Sequence, residues 1–119
     1  MNVDECVDCL KRFLEEGHIP GLTPSDELLA KFREEYKKEL EQLRKLGLEG
    51  YMSARPGALG LPACPEDWST RKGPRALPCA FAFFTLCQKL ESEGLLKMPA
   101  AEAYERFDKW LWKQLGSGR

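Results

Sequence analysis

Residues Pro78 to Glu91 read PCAFAFFTLCQKLE, and this stretch decides the fold. No charged residue stands between Arg75 and Lys89, and apolar side chains occupy nearly every position around a helix drawn through the stretch. A helix that is apolar on all sides is normally buried by its neighbours. It is too short to cross a bilayer, which takes about 20 apolar residues. The sequence therefore predicts a central helix that other helices surround.

Three amphipathic segments are available to surround this helix. In each, apolar residues recur at three- and four-residue steps and a glycine follows the last of them, as is typical of helices that bury one face. The three stripes are Val3, Cys6, Val7, Leu10, Phe13 and Leu14; Leu29, Phe32, Tyr36, Leu40 and Leu43; and Ala103, Tyr104, Phe107, Leu111 and Leu115. We predict an all-α, single-domain bundle of about four helices over residues 1–116, with a frayed tail at 117–119.

The second helix has the best-marked start in the chain. Thr23 is its predicted N-cap, and Pro24 is its predicted first helical residue. We expect the helix to extend to about Leu46. The adjacent carboxylates Glu34 and Glu35 are expected on its solvated face, where lysines four residues away can pair with them.

Residues 48–76 form the predicted long connection between the second and third helices. They contain four of the eight prolines and four of the ten glycines. A connection of this length without secondary structure is uncommon in a compact domain. Its apolar residues Leu59, Leu61, Cys64 and Trp68 favour an ordered loop that lies over the bundle.

Composition excludes several classes of protein. The net charge is -1, and the first 50 residues carry 8 Lys and Arg against 12 Asp and Glu, so a nucleic-acid partner has only weak support. Acidic residues within the first ten positions argue against a signal peptide, and no apolar run is long enough for a membrane span. Five cysteines, an odd number, favour a reducing compartment. We therefore expect a cytoplasmic protein whose cysteines are thiols or ligands and not disulfides.

Cys6 and Cys9 have the C-x2-C spacing at which two thiolates can hold one metal ion. With Cys64 they form the predicted ligand set for zinc or an iron-sulfur cluster, and the fourth ligand is left open among Cys79, Cys87 and His18. The competing and favoured interpretation is that Cys6, Cys79 and Cys87 are small core residues. A redox-active dithiol at Cys6 and Cys9 is disfavoured because neighbouring acidic residues oppose the helix-dipole effect.

Catalytic residues are not indicated by any motif. His18 is the only histidine, and its place after the first helix favours capping of free carbonyl groups. No nucleophile motif surrounds a serine, so a hydrolytic triad has no support. The sequence favours a protein without enzymatic activity.

A partner-binding surface is predicted instead. Trp112 lies on the polar side of the last helix, and exposed tryptophan is enriched at interaction hot spots. The long connection adds Trp68 and the cations Arg71, Lys72 and Arg75, which can contact a partner or pair with the acidic second helix of the same molecule. Internal pairing is favoured for the cations. The function we predict is a small binding or adaptor module with a protein partner, and the alternative is the cysteine-ligated metalloprotein.

Overall fold

A computed structural model describes residues 3–60 and 76–116, without the side chains of Pro56, Ala76, Leu77, Trp112 and Leu115. Four helices account for most of these residues: α1 (Val3–Glu15), α2 (Asp26–Ala58), α3 (Ala76–Ser92) and α4 (Ala100–Gly116). The described parts contain no strand, which confirms the all-α prediction. None of the four helices combines the length and the apolar character that a membrane crossing requires.

The α3 helix lies in the core, as its sequence predicts. Its side chains from Cys79 to Phe84 are at most 5% exposed, and the polar residues Gln88 and Lys89 reach solvent only near its end. The α2 and α4 helices pack against α3, and α1 packs against α2 and α4. The four helices therefore form a ring of neighbours in which α1 and α3 face each other diagonally.

Aromatic rings fill the space between the diagonal pair. The ring of Phe83 on α3 lies 4.7 Å from that of Phe107 on α4 and 6.0 Å from that of Phe13 on α1. Trp110 completes this group, with its ring 5.5 Å from Phe13. Phe13 and Phe107 belong to the predicted apolar stripes of α1 and α4. The stripe residues from Cys6 to Leu14 and from Ala103 to Leu111 are buried, which confirms both stripes over these ranges.

The ends of the helices follow local hydrogen-bonding rules. Ser25, not the predicted Thr23, caps α2, because its hydroxyl accepts a hydrogen bond of 3.1 Å from the Leu28 amide. The helix accordingly begins at Asp26 and not at Pro24. At the end of α3, Gly94 has a φ of 74°, and the Leu95 amide donates to the Leu90 carbonyl, which is the Schellman pattern.

The α2 helix continues past its predicted end. Gly47 has φ 71° and ψ 165°, a conformation that interrupts the helix, yet the chain re-enters a helix that extends to Ala58. The expected long loop at residues 48–76 was therefore wrong in its first part. Leu59 packs against the core as predicted, while Leu61, Cys64 and Trp68 lie outside the described residues.

A buried ionic contact joins the two halves of α2 across this kink. Glu39 is 1% exposed and accepts hydrogen bonds from the Tyr51 hydroxyl at 2.7 Å and from Nε of Arg55 at 2.9 Å. The hydrogen bonds to Glu39 raise the pKa of Arg55 above its ordinary value. Removing Arg55 would leave the buried Glu39 without its cationic partner, so this contact couples the two halves of α2.

Replacing Phe83 with alanine tests the central position of α3. We expect the free energy of unfolding to fall by about 3–5 kcal/mol, because the substitution empties the space between three helices. Urea denaturation followed by circular dichroism measures the change. Leu95→Ala is the control, since Leu95 is 58% exposed and its loss should cost less than about 0.5 kcal/mol. A loss below about 1 kcal/mol for Phe83→Ala would show that α3 is peripheral.

Candidate functional site

The predicted partner surface lies mostly beyond what the structure describes. Trp68, Arg71, Lys72 and Arg75 fall outside the described residues. Residue 112 lies within α4, but its side chain is not described. These positions therefore remain predictions from the sequence, and the described residues must supply any site that geometry supports.

Two of the cysteines are joined, contrary to expectation. Cys6 of α1 and Cys79 of α3 form a disulfide with their Cα atoms 6.1 Å apart, and both side chains are fully buried. Cys9 and Cys87 are buried free thiols. Burial raises the pKa of the Cys87 thiol far above its ordinary value, so Cys87 stays a neutral core residue. The prediction that the cysteines are thiols or ligands thus fails for Cys6 and Cys79 and holds for Cys9 and Cys87.

The predicted metal ligands do not meet in the described part of the chain. The bond between Cys6 and Cys79 occupies the Cys6 sulfur, and Cys64 lies outside the described residues. Within residues 3–60 and 76–116, no group of three or more His, Cys, Asp or Glu side chains is placed to hold a metal ion. The predicted metal site, which includes the Cys6 thiolate, would require reduction of this disulfide first.

Cys9 borders a surface depression between α1 and α4. We call this depression the α1–α4 cleft; its volume is about 680 Å³ and it is lined by Glu5, Asp8, Cys9, Lys11, Arg12, Glu15 and Gln114. The guanidinium of Arg12 donates a hydrogen bond to Cys9 Sγ at 3.7 Å. The same guanidinium lies 5.6 Å from the centre of the Trp110 ring, a cation-π contact. Arg12 is therefore held between a sulfur atom and an aromatic face.

A polar contact network continues from Trp110 to the end of α1. Trp110 Nε1 donates to Glu16 at 3.0 Å, and Glu16 also contacts His18 Nε2 at 2.8 Å. The hydrogen bonds from His18 and then from Trp110 lower the pKa of Glu16 below its ordinary value. The His18 ring stacks on Phe13, with centroids 4.8 Å apart. His18 thus pairs with a side chain, and the predicted role of capping the helix carbonyls was wrong.

A second depression lies between α2 and α3, and we call it the α2–α3 groove. Its volume is about 350 Å³, and its lining residues are Lys31, Glu34, Glu35, Lys38, Leu86, Lys89, Leu90 and Glu93. Glu35 is 6% exposed, so its expected place on the solvated face was wrong. Its carboxylate contacts Lys89 Nζ of α3 and lies 3.6 Å from Lys38 Nζ. Two ammonium groups therefore converge on one buried carboxylate.

Neither depression combines a nucleophile, a base and an orienting group in the manner of a hydrolytic site. The Cys9 sulfur contacts a guanidinium, and the ionic groups of the α2–α3 groove pair with one another. What the groove offers is charge above an apolar floor, which is a binding arrangement. The expected solvated position of Glu35 concealed this groove, although Glu35 lies three residues beyond Phe32 on the buried stripe.

The network at Glu16 predicts a pH-dependent change near Trp110. Because the pKa of Glu16 is lowered in the folded protein, its carboxylate stabilises the fold above the ordinary value of 4.5, and this contribution is lost as the pH falls through the lower folded value. In a Trp68→Phe/Trp112→Phe variant, the fluorescence of Trp110 should change over that range. Glu16→Gln should remove the transition, whereas an unaltered transition would show that another group causes it.

Comparison with protein families, curated proteins and solved structures found no match to this chain.

Proposed function

We propose that this protein is a non-catalytic binding module that docks a segment of a partner protein in the α2–α3 groove. The segment presents a carboxylate beside apolar side chains, as a short amphipathic helix does. The arrangement around Glu35 is the observation that carries this proposal.

The charges at Glu35 do not cancel. One carboxylate faces two ammonium groups, those of Lys38 and Lys89, so positive charge exceeds negative charge at this point, although the lining as a whole holds three lysines and three glutamates. Elsewhere in the groove, Lys31 has Glu27 as a partner at 3.6 Å and Glu34 has Lys37 at 3.9 Å. A carboxylate from outside can take the remaining position between Lys38 and Lys89. Charge complementarity of this kind determines the choice of partner more than the strength of binding.

The floor of the groove determines what must accompany that carboxylate. Leu86 and Leu90 lie one helical turn apart on α3 and line the groove below the lysines. A volume of about 350 Å³ is at the small end of the range for binding sites, so it accommodates one or two side chains of a partner and not a whole domain. Glu34 and Glu93 also line the groove, and they disfavour a partner segment that carries only acidic residues.

The sequence-based surface belongs to the same proposal. Trp112, Trp68, Arg71, Lys72 and Arg75 would extend the contact of a larger partner, and their contribution is tested separately. Loss of partner binding in Trp112→Ala or in a charge reversal at the three cations would support it. If binding instead weakens steeply with salt and disappears after nuclease treatment, a nucleic acid is the better assignment.

Peptide selection with the full-length protein tests the groove. We expect the enriched peptides to carry Asp or Glu next to Leu, Ile or Phe, and Lys38→Glu should weaken their binding by about tenfold because it replaces an attraction with a repulsion. Lys45→Glu is the matched control, since it makes the same charge change on an exposed residue of the same helix that does not line the groove. Melting temperatures of both variants check that folding is retained.

Two outcomes would contradict this assignment. One is a set of peptides without a shared acidic and apolar pattern. The other is equal weakening by Lys38→Glu and Lys45→Glu, which would show that only the overall charge of α2 matters.

The metalloprotein stays the alternative proposal, with Cys6, Cys9 and Cys64 as ligands of zinc or an iron-sulfur cluster. We expect metal only in protein prepared anaerobically with a reductant, because Cys6 must first be released from Cys79. Elemental analysis below about 0.1 equivalents of zinc or iron, with a melting temperature that chelator leaves unchanged, would exclude a structural metal. The assignment to the cytoplasm also stays a proposal. A Cys6–Cys79 disulfide that is fully formed in the cell would argue against a reducing compartment.

A further inference from the structure

We propose that Cys9 is a thiol exchange site through which small thiols and disulfides of the glutathione class reduce or form the buried Cys6–Cys79 bond. The inference is independent of the binding function proposed above, because it concerns the α1–α4 cleft and not the α2–α3 groove. It rests on the positions of three cysteines and on the cleft that one of them borders.

The disulfide itself is closed to direct attack. Cys6 and Cys79 are both 0% exposed, whereas a thiol must approach a sulfur atom of a disulfide closely in order to react with it. Cys9 is 8% exposed and lines the α1–α4 cleft, which is open to solvent. It is a free thiol, and it lies on the same helix as Cys6. Cys9 is therefore the free thiol of α1 that a small molecule in this cleft can reach.

Helix geometry places Cys9 within reach of Cys6. Residues three apart on a helix have Cα atoms about 5 Å apart, which is inside the range that disulfides span. Their Cβ atoms are about 5–6 Å apart, farther than the usual disulfide, so a Cys6–Cys9 bond requires the first turn of α1 to loosen. Cys6 lies in the first turn of α1, just after the opening amide groups that have no acceptor within the helix. Terminal turns of this kind fray more easily than the interior of a helix.

The cleft also holds the reacting sulfur in place. Arg12 donates to Cys9 Sγ and is itself fixed against Trp110, so the sulfur atom and a positive charge face the same opening. Glutathione carries carboxylates that a guanidinium binds well. Lys11 lines the same cleft and adds a second cation. Glu5, Asp8 and Glu15 line it too, so they disfavour a more highly charged anion.

The exchange is balanced in electrons and protons. In the reducing direction Cys9 gives its proton to water, and its sulfur attacks Cys6 Sγ. The Cys9–Cys6 bond forms, the Cys6–Cys79 bond breaks, and the electron pair leaves on the Cys79 sulfur, which takes up a proton. A glutathione thiolate then attacks Cys9 Sγ and releases Cys6 as a thiol. A second glutathione resolves the mixed disulfide, so that two glutathiones become one glutathione disulfide and the protein gains two electrons.

The rate at which reduced glutathione opens the Cys6–Cys79 bond tests this proposal. The full chain is used in a Cys64→Ser background, and acid quenching, alkylation and peptide mass mapping follow the bond. We expect Cys9→Ser to slow the opening by at least about tenfold, because an intramolecular thiol outcompetes an external one. Cys87→Ala removes the other buried free thiol and should open at the parental rate. In denaturing urea, the Cys9→Ser variant and its parent should open equally fast, since the bond is then exposed.

A trapping experiment gives a second, independent outcome. In Cys79→Ser, oxidised glutathione should produce either a Cys6–Cys9 disulfide or a glutathione adduct on Cys9. Three results would overturn the proposal: parental opening by Cys9→Ser in the folded state, a glutathione adduct that forms on Cys6 instead, and a chain without the Cys6–Cys79 bond when it is purified in the absence of reductant. If Cys9→Ser lowers the melting temperature, Cys9→Ala with normal stability must slow the opening to the same degree.

Discussion

The lack of a polar face on α3 is the constraint on which the rest of the structure depends. Exposing its side chains from Cys79 to Phe84 to water would cost a large amount of free energy. Three other helices must therefore cover them. Each covering helix then needs only one apolar stripe, and its opposite face stays polar. For this reason the two depressions described above lie along the boundaries between helices, where the polar edges of two neighbouring helices meet.

The helical stripes could be predicted from the sequence because their period depends on the backbone alone. The end of α2 could not. A glycine with positive φ terminates many helices, and Gly47 has that conformation, yet the chain resumes a helix beyond it. Whether such a glycine ends the helix or only kinks it depends on whether the following segment can contact another part of the same chain. Here Tyr51 and Arg55 find Glu39, a contact that exists only once the two halves of α2 have folded together.

The burial of two carboxylates could also have been partly predicted from the sequence. Glu35 and Glu39 lie three residues beyond Phe32 and Tyr36, on the same side of α2 as the apolar stripe, and this spacing could have indicated burial. The partners could not have been named. Lys89, which contacts Glu35, is 54 residues away in sequence and on another helix. The candidate site is thus predictable as a set of positions on α2 but not as a pair of lysines around one carboxylate.

Cysteine spacing fails for a related reason. Proximity in sequence suggested that Cys6 acts with Cys9, whereas the bond forms with Cys79, 73 residues later. Closing a loop of that length restricts the unfolded chain, and it stabilises the fold by an amount on the order of 4 kcal/mol. The bond also joins the diagonal helices α1 and α3, which otherwise meet mainly through the aromatic rings at the centre. Whether this buried bond is oxidised or reduced therefore determines how firmly α1 is held against α3, the central helix that the other three cover.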